Sequence, residues 1–384
     1  MERIYLDHNA TTPVDPRLLE AMLPVLREGF GNASSLHWFG QQARAVLDQA
    51  RAEVARLIGA NPSEIVFTSS GTEADNMAMR GAAGIARAPR RAIVHSAIEH
   101  HAVVNTGRSL AEEGFPVAAV RARADGLVDL DLLEAKVDDA TALVAVMLAN
   151  NETGAIQPLA DVVRIAHARG ALVHCDAVQA AGKIPIDVRA LDVDLLALSG
   201  HKIYGPKGVG VLYVKRGTRL RPWVRGGSQE RNRRAGTENV PGIVGMGRAA
   251  ALAREELSGE SVRLEGLRDR LERQLLAIPA ARRNGDGPRV PNTTNVSFEG
   301  IEAESLLMAL DLAGVAVSTG AACAAGAVEP SHVLRGMGLP LERVQGSVRF
   351  SLGRGTTEAH VDKAAELVAL AVARQRSLAR VATS

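Results

Sequence analysis

The chain is short of cysteine, of lysine and of long apolar runs, and each shortage excludes something. It has two cysteines, Cys175 and Cys323, in 384 residues. Two thiols cannot build a disulfide framework, and a reducing cytoplasm is the compartment in which a free thiol stays reactive. No apolar run reaches the ~18–20 residues that span a bilayer. The opening MERIYLDHNATT is acidic and polar early, unlike a signal peptide, so a cytoplasmic protein without a membrane partner is expected. The formal net charge is only +2, with basic residues scattered among acids. Nucleic-acid binding therefore has no electrostatic support. No Gly-x4-Gly-Lys-Ser/Thr pattern occurs, which argues against a P-loop nucleotide site. Of the 45 basic residues, six are lysine.

What is present is a long chain with a regular alternation. Its length exceeds the ~250–300 residues at which one core stops growing, so one large and one small domain are expected. Apolar runs at Ile65–Thr68, Ala92–His95, Val117–Arg121, Ala142–Ala149, Ala171–Asp176, Val193–Leu198 and Val209–Val214 read as strands covered on both faces. Helical patterns lie between several of them, at Thr72–Arg87, His100–Glu113 and Leu159–Ala168. This predicts an α/β fold with a mostly parallel, doubly wound sheet. A long helical stretch, Pro241–Leu276, marks the change of domain. Beyond it a turn-rich segment, a strand, a helix at Glu302–Leu312, a Gly/Ala-rich loop, a strand near Ser347–Leu352 and a helix from Thr357 read as a smaller α+β domain. The expected division is residues 13–256 for the large domain, and 1–12 with 257–384 for the small one.

Ligands in such sheets sit at the carboxyl ends of strands, which sorts the lysines. Lys136, Lys215 and Lys363 read as surface residues, Lys183 as a loop residue, and Lys207 sits in a Gly-Pro turn. Lys202, in SGHKIYGPKG, follows an apolar strand and a small Ser-Gly pair. A lysine desolvated there has a lowered pKa and can form a Schiff base; the alternative is a structural lysine capping a loop. A second strand ends at Asp176, in VHCDAVQAAGK, 26 residues earlier. A buried carboxylate needs a cation. A pyridinium nitrogen is one candidate, as in pyridoxal phosphate enzymes, and an arginine another. FTSSGTEADNMA reads as a strand, a small-residue turn and a helix start. Its free amides suit a phosphate, although Ser/Thr before Glu is also an ordinary cap. SAIEHHAVV puts His100 or His101 at a further strand end. In TGAACAAGAVEP, Cys323 lies among small residues with little apolar mass to bury, so that loop is expected to be mobile. Cys175, within a strand, reads as structural.

The segments YLDHNATTPVDP, FTSSGTEADN, NNETGAIQP, HCDAVQAAGK, SGHKIYGPKGVG, RRAGTENV, STGAACAAGAVEPSHVLRGMG and SLGRGTTEAHVDKA resemble, in order and spacing, the cysteine desulfurases of the NifS/IscS type. These are fold-type I pyridoxal phosphate enzymes of the class V aminotransferase group. The resemblance implies pyridoxal 5'-phosphate as cofactor, with Lys202 carrying it as a Schiff base, Asp176 on the ring nitrogen and Gln179 on the ring hydroxyl. It implies His100 stacked on the ring, and Gly71, Thr72, Ser199, Gly200 and His201 around the phosphate. Asn151 would contact cofactor or substrate. Thr237 would reach the phosphate of a neighbouring subunit, hence a homodimer. Arg354 would clamp the substrate carboxylate. Cys323 would be the sulfur-accepting nucleophile, with Lys202 and His100 the other catalytic groups. No resident metal is implied; Cys323 would meet an Fe–S cluster only transiently, on a scaffold. The long spacing from Cys323 to EPSHVLRGMG resembles the longer-loop group. Ser228 stands where the family often has a third glycine, and alanines replace Ser or Thr in the Cys323 loop.

The activity implied is conversion of L-cysteine to L-alanine, with the sulfur passed as a persulfide on Cys323 to acceptor proteins for Fe–S cluster assembly or thiolation. The nearest rivals are a selenocysteine lyase or another class V aminotransferase; an aminotransferase needs no thiol on a loop. A catalytically idle sulfur-delivery subunit would not need Lys202, Asp176 and Cys323 together.

Overall fold

The computed structural model describes the backbone of residues 3–320, 323–324 and 327–382, and the side chains of 3–320 and 329–378. The chain opens with β1 (Ile4–Tyr5), then α1 (Pro16–Arg27) and α2 (Trp38–Leu57), two helices the apolar pattern did not announce. The alternation follows: β2 (Ile65–Thr68), α3 (Gly71–Ile85), β3 (Ala92–Ser96), α4 (His101–Glu112), β4 (Val117–Val120), α5 (Leu130–Lys136), β5 (Thr141–Ala145), α6 (Leu159–Ala168), β6 (Leu172–Asp176), α7 (Val188–Leu191), β7 (Leu195–Ser199) and β8 (Gly210–Val214). A single turn, α8 (Gln229–Asn232), precedes the long helix α9 (Val240–Leu276). The remainder is β9 (Ala281–Arg283), β10 (Thr293–Phe298), α10 (Ala303–Leu312), β11 (Val315–Ala316), β12 (Cys323–Ala324), β13 (Ala327–Val328), α11 (His332–Gly336), α12 (Leu341–Gln345), β14 (Ser347–Ser351) and α13 (Glu358–Ala382).

Seven strands form one sheet in the order β2-β8-β7-β6-β5-β3-β4. The run from β7 to β4 is parallel. β8 is antiparallel to both its neighbours, so the sheet is mixed at one side. β5, β7 and β8 are buried along their whole length, as strands with helices on both faces must be. Because β2 and β7 both run against β8, their carboxyl ends share an edge with those of β6, β5 and β3. All the strand ends singled out in the sequence therefore meet along one rim.

The second sheet, β14-β10-β9, is antiparallel. Its core is built from Phe298, Phe350, Leu306, Leu310, Val361 and Val368, joined by Ile4 and Leu6 from the N-terminus. Helix α9 serves both cores. Ile243, Met246 and Ala249 pack under the large sheet, whereas Leu264, Leu267, Leu271 and Leu275 pack under the small one. β12 and β13 pair antiparallel, Cys323 opposite Val328.

Candidate active site

The rim of the large sheet encloses a cleft of roughly 300 Å³, lined by Ser70, Gly71, Thr72, Asp75, His100, Met147, Asn151, Asp176, Val178, Gln179, Ser199, His201 and Lys202, with Ala10 at its edge. Each side chain arrives for a local reason. β2 ends at Thr68, and Ser70 caps α3 by accepting from the Glu73 amide at 3.1 Å. The first amides of α3, on Gly71 and Thr72, then lack intrahelical acceptors and face the cleft with the positive end of the helix dipole. The turn is tight. A Cβ at position 210 would lie 2.3 Å from the Ser70 carbonyl carbon, and one at position 71 would lie 2.9 Å from Val178 Cγ2. Only glycine fits at either place.

Lys202 follows β7 through a single 3₁₀ turn. Its Nζ donates to the carbonyls of Asn9 at 2.5 Å and Ala10 at 2.7 Å. Burial pushes its pKa down to about 8, helped by the Arg349 charge and opposed by Asp176 and Asp7. Asp176 closes β6 and is buried. It accepts from the Val178 amide at 2.9 Å. Burial raises its pKa to about 6, against the pull of that amide and of Lys202. His100 caps α4, its Nδ1 accepting from the Ala102 amide at 3.1 Å, which leaves the proton of the neutral ring on Nε2. Burial, then the charges of Lys202, His101 and His332, lower it to about 4. His201 is held by Thr11 Oγ1 at 3.1 Å and is lowered to about 4, mainly by burial.

The residues present fit a phosphorylated pyridine aldehyde. A helix start offers free amides to a dianion. A lysine with a depressed pKa offers a nucleophilic amine, and Asp176 offers a carboxylate for a ring N–H. Asn151 Oδ1 is buried without a hydrogen-bond partner among the described residues, in the wall of the same cleft. Gln179 also lines the cleft, with Oε1 accepting from Lys183 Nζ at 2.6 Å and Nε2 donating to Asn9 O at 2.9 Å.

Other expected residues are placed outside the cleft lining or outside the described side chains. Gly200, expected at the phosphate, is not in the lining: its N–H is committed to Val209 O at 3.0 Å. Arg354, expected to clamp a substrate carboxylate, already holds two carboxylates of the protein. Its Nη1 lies 2.6 Å from Asp15 and its Nη2 2.8 Å from Glu256, and its guanidinium stacks over Tyr204 at 4.3 Å. It lines a separate small cavity. Thr237 is exposed and outside this chain's cleft. The side chain of Cys323 lies outside the described residues.

Other residues had escaped sequence reading. Arg349, on β14, donates to Asn151 O at 2.9 Å and to Asp7 at 2.6 Å. Its Nε is buried, with no hydrogen-bond partner among the described residues. The signal available was an arginine in the apolar strand run SVRFS, where a charge needs a reason. Lys183 is buried, bonded to Asn9 Oδ1 and Gln179 Oε1, with its pKa driven far down by burial. Behind Asp176 lie Asp75, bonded to His174 at 2.9 Å, and Glu99. Burial raises Glu99 to about 8, while Ser96 and the Met147 amide bond its Oε1. Burial also raises Glu152 to about 7.

Comparison with known proteins points one way. The family described as aminotransferase class-V matches residues 4–364. A cysteine desulfurase of Trichormus azollae is 50% identical over 380 residues, 98% of this chain and 95% of that protein. The solved structure of a NifS-like protein superposes with a TM-score of 0.91 at 41% identity, covering 97% of this chain and 99% of that one. SspA in complex with cysteine superposes with a TM-score of 0.81 at 35% identity, covering 91% and 98%.

Proposed function

The chain belongs to the class-V aminotransferases, and from that premise we propose how its residues divide the work of a cysteine desulfurase. It is a cysteine desulfurase, releasing alanine from L-cysteine and retaining the sulfur. The observation that carries the site reading is the convergence of Lys202, Asp176, His100 and the start of α3 on one cleft.

Pyridoxal 5'-phosphate, when bound there, supplies an electron sink conjugated to the substrate's Cα. Lys202 would hold it covalently, the Gly71 and Thr72 amides with Ser199 and His201 would hold its phosphate, and Asp176 would keep its ring nitrogen protonated. His100 and Asn151 would wall the ring. The Lys202 amine, at a pKa of about 8, would be close enough to neutrality to take a proton from the Cα of bound cysteine and return it. Arg349, rather than Arg354, would meet the substrate carboxylate: it holds one protein carboxylate, Asp7, where Arg354 holds two, its Nε has no partner among the described residues, and its charge acts on Lys202.

Sulfur leaves by displacement. The Cys323 thiolate attacks the substrate sulfur, an S–S bond forms, and the Cβ–S bond breaks with its electron pair left on carbon. That carbon takes a proton and departs as alanine, while Cys323 keeps a persulfide. No external oxidant or reductant is needed. The persulfide would pass to an Fe–S scaffold or another acceptor protein.

A homodimer is supported by an exposed apolar patch in a chain with few aromatics. Phe30 is 79% exposed, Leu36 91% and Trp38 63%; Phe30 packs tilted and Trp38 edge-on against Phe39, each with ring centroids 5.0 Å apart. Thr237, exposed on the same chain, would then serve the partner's phosphate. Among the described residues no helix is long and apolar enough to cross a membrane.

Cys323→Ala tests the reading. It should keep the visible absorbance of the lysine-linked cofactor and lose sulfide release from cysteine; undiminished turnover contradicts the assignment of the thiol.

A further inference from the structure

The segment that carries Cys323 is flanked by two stems, and both are held by groups next to Asn151 in the wall of the cleft: Arg349, which bonds its carbonyl, and Glu152, which follows it. The first stem is anchored through its backbone. Ser318 exchanges both hydrogen bonds with Arg349, its N donating at 3.2 Å and its O accepting at 2.6 Å. Ser318 Oγ then accepts from the Gly320 amide at 3.0 Å. Gly320 has φ +82°, and a Cβ there would lie 2.7 Å from both Cδ and Oε2 of Glu152. The backbone at this stem is thus pressed directly against a carboxyl group.

The second stem meets the same carboxyl. Ser331 Oγ donates to Glu152 Oε2 at 2.5 Å, and as the cap of α11 it also accepts from the Leu334 amide at 3.1 Å. The next residue, His332, bonds Glu99 O at 2.8 Å, beside His100. Glu152 itself is 1% exposed. Its backbone is fixed by Asn150 Oδ1, which accepts its N–H at 2.9 Å, and by Asn295, which donates to its carbonyl at 3.2 Å. The residue before it is Asn151, which lines the cleft and whose buried Oδ1 has no hydrogen-bond partner among the described residues.

A buried carboxyl is costly unless something requires it. We propose that Glu152 is a positioning residue for sulfur transfer, its side chain clasping both stems of the Cys323 loop, at Gly320 and Ser331, to the segment that carries Asn151. This rests on the reading of Cys323 as the sulfur acceptor. A nucleophile must arrive in line with the bond it attacks, and small displacements cost large factors in rate. Glu152 is not among the residues lining the cleft; it acts through the loop whose ends it holds.

The test separates transfer from cofactor chemistry in the loaded enzyme. Ser331→Ala and Glu152→Ala should form the Cys323 persulfide from L-cysteine about tenfold more slowly or worse. The absorbance of the lysine-linked cofactor, and its change on adding cysteine, should match the unaltered protein. Glu152→Gln, which keeps an acceptor for Ser331, should recover most of the rate. Persulfide formation at the normal rate in both alanine variants overturns the assignment. So does a cofactor spectrum disturbed in proportion to the rate, which would place Glu152 in the cleft's own machinery. If the unaltered protein itself carries no sulfur on Cys323, the reading of the thiol falls first and takes this inference with it.

Discussion

Lys202 Nζ donates to the carbonyl oxygen of Asn9 at 2.5 Å, across a sequence separation of 193 residues. The amine is therefore aimed by the N-terminal segment, not by its own turn alone. Burial, helped by the charge of Arg349, holds its pKa down to about 8. Only the neutral amine condenses with an aldehyde. Loading of pyridoxal phosphate onto the apoprotein should thus accelerate as pH rises through about 8 and level off above it. Stopped-flow absorbance would follow this. A rate still climbing in proportion to hydroxide near pH 10 would mean an ordinary, exposed lysine. Lys202→Ala should give no borohydride-reducible adduct at all.

Arg349 and Arg354 should separate cleanly in kinetics. Loss of a charge-assisted contact to the substrate carboxylate is worth about 1.5–3 kcal/mol. Arg349→Gln should therefore raise KM for cysteine roughly tenfold to a hundredfold. Arg354→Gln breaks pairs with Asp15 and Glu256 and should cost about 1–2 kcal/mol of stability, with KM little changed. Denaturant titration beside steady-state kinetics of both variants distinguishes the two roles, and the opposite pattern would return the clamp to Arg354.

How much of this was legible follows from what an apolar run can encode. Asp176, Ser199 and Lys202 stand where such runs stop, so a strand end and a polar residue appear together in the sequence. The direction of β8 does not appear, because GVLYV is equally apolar whether it runs with or against its neighbours. Helices α1 and α2 were missed for a different reason: the exposed Leu19, Leu23, Leu26 and Trp38 blur the pattern of a one-sided helix. Arg349 and Arg354 are five residues apart in one segment, and only the placement of Asp15, Glu256 and Asn151 tells which is occupied. Lys183 reads as a loop residue because one of its two partners, Asn9, lies 174 residues away in the chain.

Glu99 should make stability fall with alkaline pH. Its carboxyl is raised from 4.5 to about 8 by burial, so the folded state holds the proton more tightly than the unfolded one. The stabilising contribution is complete below the unfolded pKa and is lost as pH rises through about 8. Glu99→Gln has no proton to lose, and its amide takes the place of a protonated acid whose Oε2 has no partner among the described residues. The variant's Tm should gain on that of the unaltered protein by a few degrees between about pH 5 and pH 9. A constant difference in Tm across that range would mean that Glu99 titrates at its ordinary value.

Asn9 is the joint between the two sheets, and its removal should damage both stability and chemistry. Its Oδ1 accepts from Lys183 Nζ at 3.1 Å and from Asn292 at 3.2 Å; its Nδ2 donates to Thr293 Oγ1 at 2.9 Å and to Asn151 O at 3.1 Å. Asn9→Ala leaves the buried Lys183 with Gln179 as its remaining side-chain partner among the described residues and strips a contact on the side of each sheet. Unsatisfied buried donors of this kind cost about 1–3 kcal/mol each, so a loss of roughly 2–4 kcal/mol is expected on denaturant unfolding. The Asn9 carbonyl, which fixes Lys202, is backbone and survives the substitution, but the segment that holds it loses its side-chain anchors. Cofactor-linked absorbance should therefore persist while the pH midpoint of loading moves from its place near 8. Unfolding at the normal denaturant concentration, with an unmoved midpoint, would mean that the joint lies elsewhere.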